Sequence, residues 1–105
     1  MAKKQKKEAK LKQEAQKFLA KVPEENVFWC HDGRILRDMR DLGEALAGMS
    51  EETFTYHANT DKRDFSNWVR DVIGDTVLAK ELENMMDRNQ ATSIVTERIA
   101  ILTKS

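Results

Sequence analysis

The chain has 105 residues, with 18 Lys+Arg balanced by 18 Asp+Glu; 34% of it is charged and 40% apolar. One thin-cored domain is expected at this length, and no apolar run approaches the ~20 residues of a membrane-spanning helix. The basic start MAKKQKKEAK leads into no apolar stretch, which argues against a secretory signal. The single Cys30 rules out an internal disulfide and fits a reducing, cytoplasmic setting.

The balanced total hides an asymmetry. Residues 1–22 carry eight lysines (Lys3, Lys4, Lys6, Lys7, Lys10, Lys12, Lys17 and Lys21) against Glu8 and Glu14, a net of +6. Residues 23–105 hold ten basic and sixteen acidic side chains, a net of −6. The expected organisation is a Lys-rich helical arm over 1–22 and a single small acidic helical domain over 23–105. Charge separation of this kind marks a tail that contacts nucleic acid, a membrane surface or an acidic partner, or that folds back on its own body.

In the arm, Leu11, Ala15, Phe18, Leu19 and Val22 fall at helical spacing, and Pro23 closes the element. Val27–Cys30, an Asp32-Gly33 turn and Arg34–Leu36 then make a hairpin signature; two strands alone are marginal, so the hairpin must lie on helices. Asp38 is placed to cap a helix that presents Leu42, Ala45, Leu46 and Met49. Ser50 opens a short helix carrying Phe54 and His57, and residues 58–63 read as a polar loop. Asp64 is expected to cap the next helix, where Phe65, Trp68, Val69, Val72 and Ile73 line one face until Gly74 stops it. Asp75 caps a helix presenting Leu78, Leu82 and Met85. Asp87 or Asn89 opens a final one with Ile94, Val95, Ile99 and Leu102 inward. The fold class is therefore mainly α: about four helices and a short β-hairpin near the start, preceded by the basic amphipathic N-terminal helix. The expected core is Phe28, Leu36, Leu42, Leu46, Met49, Phe54, Phe65, Trp68, Val69, Val72, Leu78, Leu82, Ile94 and Leu102.

Several of these residues form a pattern that covers about residues 27–82. It runs through Phe28, Asp32-Gly33-Arg34, Leu36, Leu42, Ala45-Leu46, Met49-Ser50 and Phe54 to His57-x-Asn59. It continues with Asp64-Phe65, Asn67-Trp68, Asp71-Val72, Gly74-Asp75 and Leu78-Ala79. In this the chain resembles a family of small, uncharacterised prokaryotic domains, largely archaeal, with a His-x-Asn element followed by Asp-Phe-x-Asn-Trp-hydrophobic-x-Asp-x-x-Gly-Asp. The resemblance implies a domain and no activity.

The densest polar and aromatic group is His57, Asn59, Asp64, Asn67, Trp68 and Asp71, with Asp64, Asn67 and Asp71 spaced i, i+3, i+7 on one helix face. As a site it would bind a ligand or partner, with His57 able to change charge near neutral pH. As scaffolding, Asp64 caps, Asn67 bonds loop backbone, His57 satisfies a buried carbonyl and Trp68 anchors the core. Cys30, His31, Asp32 and His57 match no metal-ligand spacing, and Cys30 serves as a small buried hydrophobe. No phosphate loop, His-Glu-x-x-His or nucleophile elbow appears. No catalytic residue, metal or cofactor is expected.

The eight lysines of residues 3–21 could bind phosphates through charge alone, since Lys without Arg or interleaved aromatics suits attraction better than base reading. Two functions follow as expectations. The first is a non-enzymatic interaction or adaptor module whose body binds a protein partner or a second copy. The second is a nucleic-acid or ribosome-associated protein that binds phosphate through the arm.

Overall fold

The computed structural model describes residues 12–104, so the expectations for Lys3, Lys4, Lys6, Lys7, Lys10 and Leu11 lie outside the described residues. The described chain is mainly helical with one two-stranded antiparallel hairpin, as the periodicity predicts. Helix α1 covers residues 12–19, and a 3-10 turn over Glu24–Asn26 follows Pro23. Strands β1 (Phe28–Trp29) and β2 (Ile35–Leu36) lead to α2 (Met39–Gly48) and α3 (Glu51–His57). Then come α4 (Asp64–Trp68), which runs on as a π turn over Val69–Ile73, α5 (Thr76–Glu83) and α6 (Arg88–Lys104). Among these helices none is long and apolar enough to cross a membrane.

Side chains close most helix starts where the sequence places them. Asp38 accepts from the Asp41 N–H, Ser50 from Thr53, Asp75 from Leu78 and Asp87 from Gln90, so Asp87 rather than Asn89 opens α6. Asp64 is an exception. The residue flanking α4 is Arg63, which makes no side-chain cap, and Asp64 is the first helical residue with its carboxylate turned to His57.

Arginines close the opposite ends. Arg88 donates to the Leu46 and Ala47 carbonyls at 2.8 and 3.1 Å, Arg34 to Ala45 at 3.4 Å, and Arg63 to Glu83 at 2.9 Å. These carbonyls lie in the last turns of α2 and α5, where the helix dipole favours a cation.

The core contains twelve of the fourteen expected side chains, together with Met39, Ile73, Val95 and several alanines. Val72 and Ile94 are only half-buried. The π turn explains the first: the Gly74 N–H reaches back five residues to the Val69 carbonyl, and the wider turn rotates position 72 off the core while Ile73 stays inside. Gly74 ends the turn in the left-handed region at φ 92°, which an L side chain rarely adopts. Ile94 instead lines an open surface groove with Met85 and Gln90.

Two features join distant segments. Ala15 and Phe18 of α1 are buried in the core, with Phe18 close to Gly74, so residues 12–22 pack on the body. Asp75, 1% exposed, accepts two hydrogen bonds from Arg98 of α6 at 2.7 and 3.0 Å while capping α5. A buried carboxylate is tolerable only with such full pairing.

The packing gives a direct expectation. Trp68→Ala removes a core ring and the bond from its Nε1 to the Asn26 carbonyl, and Phe18→Ala empties the seat of α1. Each should lower the unfolding free energy by about 3–5 kcal/mol in chemical denaturation. An unchanged midpoint for Phe18→Ala would show that α1 does not belong to the core.

Candidate functional site

The hairpin and α3 build the site. The His31–Gly33 loop is closed by the Gly33 N–H on the Cys30 carbonyl and the Cys30 N–H on the Arg34 carbonyl, with Gly33 at φ 96°. This is a three-residue hairpin loop that ends in a left-handed glycine, which the Asp-Gly pair supplies. Phe28 lies opposite Leu36 and Trp29 opposite Ile35. Strand alternation turns Phe28 and Leu36 to the core and Trp29 with Ile35 away from it. Trp29 is left 70% exposed.

His57 joins this hairpin to the helices. Its side chain is 5% exposed and lies among the rings of Phe28, Tyr56 and Phe65, with centroids 4.9–5.2 Å away. Nε2 accepts the His31 N–H at 2.9 Å and Nδ1 lies 3.0 Å from Asp64 Oδ2. The expected partner, a buried carbonyl, is thus replaced by a backbone donor on one side and a carboxylate on the other. Both ring nitrogens are engaged, and neither is open to a metal. Among the described residues no cluster of three potential ligands occurs.

The other members of the predicted group separate. Asn59 works within its own turn: its Nδ2 donates to the Thr55 carbonyl, and its Oδ1 accepts from the Asp61 and Lys62 N–H groups. The turn closes as a short bridge between Ala58 and Arg63. Asn67 and Asp71 are exposed and make no hydrogen bond to His57; Asp71 pairs with its neighbour Arg70 at 2.9 Å. That pair holds the Asp71 carboxyl below its ordinary value and raises the Arg70 guanidinium. So His57 and Asp64 meet, Asn59 pins a loop beside them, and Asn67 and Asp71 face solvent.

Sequence reasoning passed over a second cluster. The His31 ring stacks on Tyr56 with centroids 3.9 Å apart, and Lys62 Nζ lies 3.9 Å from the same ring centre. Two groups this close to one centre must take opposite faces of the ring. Tyr56 is 46% exposed, so its edge stays open to solvent. The available signal was alternation: Trp29 and His31 are exposed and Phe28 and Cys30 buried, a strand pattern with the wrong polarity for Trp29.

The remaining chemistry is quiet. Burial pushes the Cys30 thiol up from its ordinary value, and the Asp32 carboxylate beside it adds to the effect, which leaves little thiolate for nucleophilic work. Desolvation is the largest single influence on Asp32 and opposes its ionisation, but the Arg34 N–H, the Cys30 thiol and the Arg34 guanidinium together outweigh it and hold that carboxyl below its usual range. The cavity between Leu46, Phe54, Phe65 and Leu82 measures about 10 Å³, room for a single water at most.

Of the basic arm, Lys12 and Lys17 are exposed, and Lys21 lies 3.4 Å from Asp38. No protein-family model, curated protein sequence or solved structure matches the chain.

Alanine substitutions should divide the predicted cluster. Asn59→Ala loses three hydrogen bonds and should cost about 1–2 kcal/mol in thermal or urea unfolding. Asn67→Ala should stay within about 0.5 kcal/mol of the parent, and Asp71→Ala should leave the unfolding midpoint unchanged. A large loss at Asn67 would place it back among the structural groups.

Proposed function

We propose that the protein is a non-enzymatic interaction module whose body binds a protein partner through the outward face of the hairpin and the adjoining end of α3. The observation that supports this reading most is Trp29, 70% exposed on a strand that the core holds from behind. A largely solvated indole on a fixed backbone is a costly use of surface, and Trp and Tyr are the residues that most often dominate protein interfaces. Ile35 stands across the ladder from Trp29, and the stacked His31–Tyr56 pair follows at the next outward position. In the neighbouring polar cluster, His57, Asn59 and Asp64 are occupied with holding the fold.

A photoreactive residue in place of Trp29, in the full chain and in native cell extract, tests the reading. It should cross-link a discrete protein, whereas the same residue in place of exposed Met86 should not. No product at position 29, or a nucleic-acid product there, would contradict it.

A second reading, binding of nucleic acid or the ribosome through the arm, draws on Lys12 and Lys17, which make no ion pair with any described residue. It implies salt-dependent affinity that falls when arm lysines are replaced by glutamine in the full chain. Deleting residues 1–22 is unsuitable, because it also removes Ala15 and Phe18 from the core.

A further inference from the structure

The two hydrogen bonds of His57 fix where its proton is. An acceptor at Nε2 needs a free lone pair, so the neutral ring carries its hydrogen on Nδ1, directed at Asp64. A second proton can go only to Nε2, where it would meet the His31 N–H head on. A peptide N–H has no lone pair with which to change roles, so protonated ring and closed turn cannot keep the same positions.

We propose that His57 is a proton-operated latch: neutral, it holds the His31 turn against α3 and α4, and protonated, it keeps Asp64 and releases the turn. The surrounding groups decide which contact yields. On α4, the Asp64 carboxylate attracts an imidazolium, and Lys62 at 3.6 Å from the same oxygen only partly offsets that attraction. The ring itself is wedged between Phe28, Tyr56 and Phe65. The turn has weaker holds: two strands of two residues each, and the stacking of His31 on Tyr56. The His31 ring stands on the turn itself, its centroid 6.5 Å from that of His57. Within the turn, the Asp32–Arg34 pair stays ionised, since Asp32 is held below the ordinary carboxylate range, and Cys30 stays a neutral thiol. The hairpin's own closure therefore survives, and Phe28 stays seated on Phe65 and Trp68, while the turn's bond to His57 is lost.

An NMR titration of the full chain from about pH 8 to about pH 5 tests the latch, following the His57 ring nitrogens and the residue-31 amide. His57→Gln is the matched control: its carbonyl can accept the His31 N–H and its amide can donate to Asp64, but it takes up no proton there. In the wild type, the residue-31 amide should shift in step with the titration of the His57 ring. His31→Ala, which keeps that N–H but removes the ring's own proton, should show the same transition, and His57→Gln in the His31→Ala background should not. The proposal is overturned if the His57 ring titrates while the residue-31 amide stays still, if the ring remains neutral until the whole protein unfolds, or if His57→Gln in the His31→Ala background shows the same transition. Should His57→Gln fail to fold, the wild type and His31→Ala still decide it through the ring and the amide.

Discussion

A hairpin of two strands, each two residues long, makes too few ladder bonds to hold itself in place, so its position has to be supplied by the helices beneath it. Four contacts supply it. The His31 N–H ends on the His57 ring, Phe28 packs on Phe65 and Trp68, the Trp68 indole donates to the Asn26 carbonyl, and Arg34 reaches the end of α2. Three of these rest on α3 or α4, so the orientation of those helices sets where the outward face of the hairpin points. Trp29 is exposed because everything behind it is fixed.

The same economy governs the helices. The chain is thin-cored and rich in charge, and it puts much of that charge on helix ends. Carboxylates and a serine close the starts of α2, α3, α5 and α6, and arginines take the last carbonyls of α2 and α5. At Asp75 and Arg98 the two devices merge. One carboxylate caps α5 and meets a guanidinium from α6, which ties the end of the π turn to the C-terminal helix. Removing either partner would strand a buried charge, a far larger cost than losing an exposed pair such as Arg70–Asp71.

What could be read from the sequence was whatever depends on local spacing. The six elements from the hairpin to α6 follow from apolar periodicity, from cap residues and from Asp32-Gly33, because these act over four or five residues. Positions 72 and 94 differ for reasons outside that range: the π turn takes an extra residue per turn, and Ile94 lies at the flank of the α6 stripe, in an open groove with Met85 and Gln90. The candidate site was legible as a group but not in its parts. His57 and Asp64 do meet, yet no spacing rule says that the imidazole accepts from a turn twenty-six residues earlier. Arg98 offered a usable sign, being an arginine within the apolar stripe of Ile94, Val95, Ile99 and Leu102. Many residues of the pattern over 27–82 now have structural work: His57, Asn59, Asp64, Trp68, Gly74 and Asp75 each hold a contact or a backbone turn.

The proposed role follows from this division of labour. Polar groups that might have formed a site are used to fix the hairpin, and what the fixing leaves outward is aromatic. The central claim, that His57 carries the hairpin, is tested most directly by native-state hydrogen exchange at a single neutral pH, read at the amide of His31. That residue is exposed and lies in a turn, so only the bond to His57 can slow its amide. Protection comparable to that of the α3 amides is the predicted result. Exchange as fast as in an open loop would contradict it.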